Sequence, residues 1–206
     1  MFNGLIREIA KVRHFSGDVL DLEAKMTPKL GDSIAVNGAC LSVTNLHQNG
    51  FEVELSARSQ SILALSSYKK LVHIESALIY GSTIDGHLLS GHIDGVGEIA
   101  SIKKYKNQYE FAIKAPKHIL QNCIKRGSIA VNGVSLTIAD VNNDSFLLII
   151  IPLTMQTTLF SHYKVRDLVN IETDLMVKNM HALLEKMLNK NASLSWEQCD
   201  EQVFSY

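Results

Sequence analysis

Stretches rich in Val, Ile, Leu and Thr, at residues 33–43, 51–55, 128–138 and 146–151, are broken by the polar triplets Gln48-Asn49-Gly50 and Asn142-Asn143-Asp144. That pattern predicts strand, turn, strand units. Each half of the chain offers several such strands about ten residues apart, with a short helical stretch such as residues 115–123, as small antiparallel barrels do. Gly38 and Gly133 fall inside strand patterns, where glycine marks a bulge or the close approach of a ligand or another backbone. Beyond Asp174 the period changes. Met176, Val177, Met180, Leu183, Leu184, Met187 and Leu188 form a stripe on one helix face. Such a lone helix needs an apolar partner, either its own barrels or the same helix of other subunits.

The pattern is written twice. Ser33-Ile34-Ala35-Val36-Asn37-Gly38 recurs unchanged as Ser128-Ile129-Ala130-Val131-Asn132-Gly133. The match continues from Cys40 to Ser135, from Val72-His73-Ile74-Glu75 to Val169-Asn170-Ile171-Glu172, and from Glu8-Ile9-Ala10 to Glu98-Ile99-Ala100. Ordered blocks with slowly drifting offset indicate two similar folded units of roughly 85 to 95 residues. The last of these offsets also superposes Phe2 on His92, each expected to open the first strand of its barrel.

Composition narrows the functions available. The chain has 206 residues, 46% of them hydrophobic, and no apolar run reaches the roughly 18 residues of a membrane span. The start, Met1-Phe2-Asn3-Gly4-Leu5-Ile6-Arg7, lacks the marks of a secretion signal, so a cytoplasmic protein is expected. Cys40, Cys123 and Cys199 are widely spaced and without a CxxC pair, which argues against disulfides and structural zinc. The net charge of −1 lacks the positive field that nucleic acid demands, and Lys103-Lys104-Tyr105-Lys106 reads as a solvated hairpin tip.

Several motifs, in order, carry a resemblance. These are residues 1–6, Asn37-Gly38-Ala39-Cys40-Leu41-Ser42-Val43, Gly86-His87-Leu88-Leu89-Ser90-Gly91-His92-Ile93-Asp94-Gly95, residues 127–137, Ile151-Pro152-Leu153-Thr154, and Val169-Asn170-Ile171-Glu172-Thr173-Asp174. Together they resemble the riboflavin synthase family of the two-barrel, trimeric kind. The resemblance implies a mainly β chain of two tandem six-stranded antiparallel Greek-key barrels and a C-terminal α-helix. Residues 1–87 would be the first lumazine-binding barrel, 88–175 the second, 176–190 an oligomerisation helix, and 191–206 a mobile tail.

It also implies the activity. Family members convert two molecules of 6,7-dimethyl-8-ribityllumazine into riboflavin and 5-amino-6-(D-ribitylamino)uracil by moving a four-carbon unit. A reaction between two copies of one compound needs two facing pockets, and the resemblance places them on different subunits of a homotrimer. An association with lumazine synthase is left open. No cofactor or metal is chemically required. The 7-methyl protons of the donor are acidic because the anion delocalises into the ring, so a weak base and a charge-stabilising donor suffice. Orientation of two stacked rings is worth about 7 to 11 kcal/mol at best, and it outweighs any single side chain.

Carried over by position, the first pocket is lined by Gly4, Leu5, Ile6, Cys40, Leu41, Ser42, Glu54, Leu55, Ser56, Ala57, Arg58 and Ser59, with Phe2 beside it. The second is lined by Gly91, His92, Ile93, Arg126, Ser135, Leu136, Thr137, Ile150, Ile151, Pro152, Leu153, Thr154 and Met155. The catalytic candidates are Cys40, His92, Ser135 and Asp174. Each has a plainer reading from its residue type alone. Cys40 is then a small apolar residue, Ser135 and Thr137 are hydroxyls on one face of an edge strand, His92 is structural and Asp174 is a helix N-cap. The resemblance implies that His92 is the proton carrier, a task to which an imidazole is suited; His87 is read as a structural or linker residue.

The chain also departs from the family pattern. Arg58 stands where an acid of a Glu-Thr pair is usual, Leu153 where a polar residue is common, and Arg126 and Asn132 where Lys and Asp often occur. A non-enzymatic lumazine or flavin binder on the same double barrel is therefore the alternative. A flavin-binding redox barrel would need a glycine-fingerprint nucleotide domain, and the sequence has none.

Overall fold

In the computed structural model, which describes residues 1–192, the repeated pattern closes into two six-stranded antiparallel barrels. The first is built from β1 (Glu8–Ser16), β2 (Val19–Glu23), β3 (Ser33–Val36), β4 (Ala39–His47), β5 (Gly50–Glu54) and β6 (Leu71–Ser76). The second uses β7 (Gly95–Lys104), β8 (Tyr109–Lys114), β9 (Ser128–Val131), β10 (Val134–Val141), β11 (Ser145–Ile150) and β12 (Leu168–Thr173). In both, the second strand pairs with the fifth, and the third lies between the fourth and sixth, so the circuit is a Greek key repeated without change. Short helices α1 (Ala57–Ile62), α2 (Lys117–Leu120) and α3 (Pro152–Thr157) fill the connections, and α4 (Leu175–Ala192) follows. Lys103 and Lys104 do end a hairpin strand, with Lys103 reaching Glu110 at 3.0 Å.

Alternation sets which side chains fill each barrel. Leu20, Leu22, Phe51 and Val53 point into the first, and Phe111, Ile113, Phe146 and Leu148 into the second, all fully buried.

Residues 33–43 and 128–138 each form two strands, where the sequence pattern suggested one strand with a bulged glycine. Asn37-Gly38 and Asn132-Gly133 are two-residue turns with positive φ at both positions, 45° and 83° in the first and 45° and 80° in the second. Periodicity hides such a turn because both arms are equally apolar. The bulges fall elsewhere, as between Val43 and Asn45. The expected close approach is real, and its partner is the other repeat: a Cβ on Gly38 would sit 2.8 Å from the backbone nitrogen of Gly133, and the converse distance is the same.

Around these opposed turns the barrels share a buried polar seam. Asn37 Oδ1 accepts from His73 N–H at 2.8 Å, and Asn132 Oδ1 from Asn170 N–H at 2.8 Å. Asn170 Nδ2 donates to the Asn37 carbonyl at 2.9 Å and its Oδ1 accepts from Ala64 N–H at 2.7 Å. His73, the equivalent of Asn170, does the same work with a ring: Nε2 accepts from Leu159 N–H at 2.7 Å and Nδ1 lies 2.8 Å from the Asn132 carbonyl. That arrangement requires a neutral imidazole carrying its proton on Nδ1. Burial holds the His73 pKa down to about 4, with the Asn132 carbonyl opposing it.

The sign of the pH effect follows. Below the unfolded pKa the unfolded chain takes up a proton that the folded chain refuses until about pH 4, so stability is full above about pH 6.5 and declines as pH falls toward 4. Wild type should lose roughly 3 kcal/mol across that window relative to His73→Asn, which copies Asn170. Urea denaturation of both proteins from pH 4 to 7 measures the difference; parallel curves would remove His73 from the acid response.

Both barrels lie in one unit, Met1–Asp174, and α4 in a second. The predicted stripe is on α4, with Met180, Leu183, Leu184, Met187 and Leu188 all more than half exposed. Most of the tail, residues 193–206, including Cys199, lies outside the described residues. No helix among the described residues is long and apolar enough to cross a membrane.

Candidate active site

Two straps precede the barrels, residues 1–7 before β1 and residues 86–94 before β7. Each is hooked by a buried carboxylate on the last strand of its own barrel. Glu75 accepts from Asn3 N–H at 2.7 Å and Gly4 N–H at 3.0 Å. Glu172 accepts from Ser90 N–H and Ser90 Oγ at 2.7 Å each, and from Gly91 N–H at 3.1 Å. The straps also pair with one another, Phe2 N–H with the Leu89 carbonyl at 2.8 Å and Leu89 N–H with the Phe2 carbonyl at 3.0 Å. The true equivalents are therefore Phe2 with Leu89, Gly4 with Gly91, and Leu5 with His92. This corrects the superposition of Phe2 on His92: Glu8 lies opposite Ile74 and Gly95 opposite Ile171, so Glu8 answers Gly95 at the same offset as the straps, and the match of Glu8-Ile9-Ala10 to Glu98-Ile99-Ala100 is out of register. Neither residue opens a first strand, since β1 starts at Glu8 and β7 at Gly95.

Each strap then crosses to the other barrel. After Glu54, which pairs with Ser42, β5 turns away from β4 into α1, and the equivalent departure of β11 into α3 frees one edge of β10. The N–H groups of Cys40 and Ser135 would be orphaned there. Gly91 accepts from Cys40 N–H at 2.8 Å, and Gly4 accepts from Ser135 N–H at 2.8 Å. Side chains follow, with Ile93 in the first core and Ile6 packed on the second. The grouping carried over by position is thus exchanged: within one chain Gly91, His92 and Ile93 border the Cys40 shelf, and Gly4, Leu5 and Ile6 border the Ser135 shelf. Only glycine fits at the crossings, since a Cβ on Gly4 would lie 2.5 Å from Ser135 Cβ and one on Gly91 2.5 Å from Cys40 Cβ.

The first shelf presents Cys40, half-buried, and Ser42, exposed, on one face of β4 opposite exposed Glu54. Leu41 and Leu55 point into the barrel. Ser56 caps α1 by accepting from Ser59 N–H at 3.1 Å, and the two hydroxyls lie 3.0 Å apart, which engages the Ser59 hydroxyl. Ala57 and Arg58 face solvent, and His92 is exposed on the strap. Phe2 is buried against Gly91.

The second shelf presents Ser135, half-buried, and Thr137, exposed, on β10. Leu136 and Met155 pack on the second core, which includes Ile150. Ile151 cannot cap α3 as Ser56 caps α1, and Pro152 removes one free N–H there instead. Pro152 and Leu153 are exposed and Thr154 half-buried, its carbonyl accepting from Thr158 Oγ1 at 2.6 Å. Arg126 is exposed with φ 68°, where the first copy has Gly31.

Asp174 sits half-buried just before α4, where a cap would stand, and its charge reaches His87. His87, read from the sequence as structural, lies with Nδ1 2.7 Å from Ser135 Oγ. Nothing in the periodicity marks it; only the return of the strap to β10 brings the two together. Burial lowers its pKa, and Asp174 opposes that shift. Burial pushes the Cys123 thiol up to about 12, so among the described residues Cys40 is the thiol with access to a ligand. Among the described residues no group of His, Cys, Asp and Glu is placed to hold a metal. A cavity of about 640 Å³ on the first barrel, between Lys11, Met26, His47 and Asn49, includes neither shelf.

The comparisons follow the same division. The lumazine binding domain matches residues 3–77 and again 90–174. Riboflavin synthase of Actinobacillus pleuropneumoniae is 35% identical over 195 residues, covering 90% of this chain and 91% of that protein. The enzyme of Chlamydia pneumoniae is 37% identical over 188 residues, with coverage of 86% and 92%. The crystal structure of LumP complexed with riboflavin has a TM-score of 0.77 at 21% identity, covering 84% of this chain and 99% of that one, and so shares the fold. With both barrels matched by one domain model and with such relatives over most of its length, the chain belongs to the lumazine-binding family of riboflavin synthases.

Proposed function

We propose that the protein is a riboflavin synthase, a transferase that dismutates two molecules of 6,7-dimethyl-8-ribityllumazine into riboflavin and 5-amino-6-(D-ribitylamino)uracil. The observation that carries this reading is the pair of equivalent, cross-strapped shelves that differ in their central group, the thiol of Cys40 and the hydroxyl of Ser135. Equivalent shelves accept the same heterocycle, and unlike central groups suit one donor and one acceptor. Strand edges, hydroxyls and carboxylates match a flat ring rimmed with hydrogen-bonding groups and a ribityl chain of hydroxyls. In this reading Ser135 and Thr137 bind one ring, Cys40 and Ser42 the other, and His92 and Asp174 move the proton that leaves the 7-methyl group.

The shelves open to solvent at Ser42, His92 and Thr137, so in this reading a neighbouring subunit closes each reaction site. The exposed stripe of α4 supplies the contact that gathers a homotrimer. A chain ending at Asp174 should sediment as a smaller species than the full chain; identical profiles would exclude α4 from assembly. The reading also places the protein in the cytoplasm, where Cys40 and Cys123 remain thiols. It admits a wider complex with lumazine synthase, which co-sedimentation would detect.

The deciding experiment incubates the purified full chain with 6,7-dimethyl-8-ribityllumazine and a chelator, with no other addition. Two lumazines should disappear for each riboflavin and each ribitylaminouracil formed. Tight binding without turnover would instead make the protein a lumazine carrier, the outcome that Arg58 in place of an acid would favour.

A further inference from the structure

His87 is 9% exposed, and its Nδ1 lies 2.7 Å from Ser135 Oγ. Its other nitrogen, Nε2, is buried without a hydrogen-bond partner among the described residues. A neutral imidazole has one N–H to place. On Nε2 that proton would be a buried donor with nothing to receive it. On Nδ1 it donates to Ser135 Oγ and leaves Nε2 an unmatched acceptor, the better tolerated of the two defects. Burial favours the neutral ring, although Asp174 opposes it.

The consequence falls on Ser135. Its N–H is already given to the Gly4 carbonyl, and its Oγ accepts from His87. The serine proton must then point elsewhere, across the shelf bounded by Gly4 and Thr137. We propose that His87 is a positioning residue that commits the Ser135 hydroxyl to donate to an acceptor atom of the bound heterocycle, a carbonyl oxygen or an unprotonated ring nitrogen. Cys40, at the equivalent place, has only a weak S–H donor, so the second shelf is the one that recognises a hydrogen-bond acceptor on the ring. This inference rests on the function proposed above.

A double-mutant cycle in the full chain tests it, with 6,7-dimethyl-8-ribityllumazine as substrate and thermal midpoints as the check on folding. Ser135→Ala and His87→Gln should each lower kcat/KM about tenfold, the scale of one hydrogen bond, and the double variant should be no more than about twofold worse than either. His87→Asn, whose amide reaches the place of Nδ1, should recover activity to within about threefold of wild type. Losses that multiply to about 100-fold in the double variant, or a fully active His87→Gln, would overturn the proposal. If His87→Gln does not fold, His87→Asn replaces it: activity retained with Ser135 present supports the proposal, and a loss that persists undiminished on Ser135→Ala overturns it. A wild type that binds lumazine without turnover would defeat the functional reading alone, and the same cycle would then be read from the lumazine Kd.

Discussion

Replacing Glu172 with alanine is expected to remove about 3 kcal/mol of stability and at least about 100-fold of turnover. The carboxylate is 2% exposed and receives three donors from Ser90 and Gly91. Each buried donor left unmatched costs about 1 to 3 kcal/mol, and Ser90, being half-buried, recovers part of that from water. The strap, whose Gly91 carbonyl accepts from Cys40 N–H, then loosens, and the first shelf loses its edge. Glu172→Gln keeps one acceptor oxygen and should fall between the two. Urea denaturation and steady-state assay test this together; an alanine variant within about 1 kcal/mol of wild type and fully active would show that the strap holds without its hook.

The second large effect is expected at Gly38. A valine there adopts φ 83°, which costs a branched L residue about 1 to 2 kcal/mol, and drives its Cβ to 2.8 Å from the nitrogen of Gly133. The obstacle is backbone in a paired turn and cannot rotate away, so overpacking adds about 1 to 3 kcal/mol. A total loss of roughly 3 kcal/mol should appear as a drop in thermal midpoint, with Gly133→Val matching it by symmetry. Unequal losses would mean that the two turns do not oppose each other in solution as they do here. Ile93 also approaches Gly38, so strain at the turn should reach the first shelf as well as the seam.

Much of this was legible in the residues because it is local. Strand periodicity, the hairpin triplets and the repeated block located the barrels, and the change of period after Asp174 located α4. The Asn-Gly turns escaped because a two-residue turn between two equally apolar arms leaves no gap in the pattern, although Asn-Gly is itself a turn signal. Alignment by offset failed at the straps for a different reason. Glu8-Ile9-Ala10 and Glu98-Ile99-Ala100 share letters but not a place in the ladder, where Glu8 answers Gly95, so their spacing matches Phe2 to His92 whereas the hydrogen bonds match it to Leu89.

By itself the sequence determined what depends on side-chain type at regular spacing: two copies of one barrel, the thiol-for-hydroxyl exchange at Cys40 and Ser135, and an amphipathic helix beyond them. Only the tertiary structure decided that each strap serves the opposite barrel, that His73 and Asn170 seal one seam with different chemistry, and that His87 reaches Ser135. The strap and seam contacts satisfy backbone groups left unpaired where strands part, His87 and Ser135 meet through their side chains, and in each case the partner is chosen by the path of the whole chain through space rather than by any neighbour in sequence.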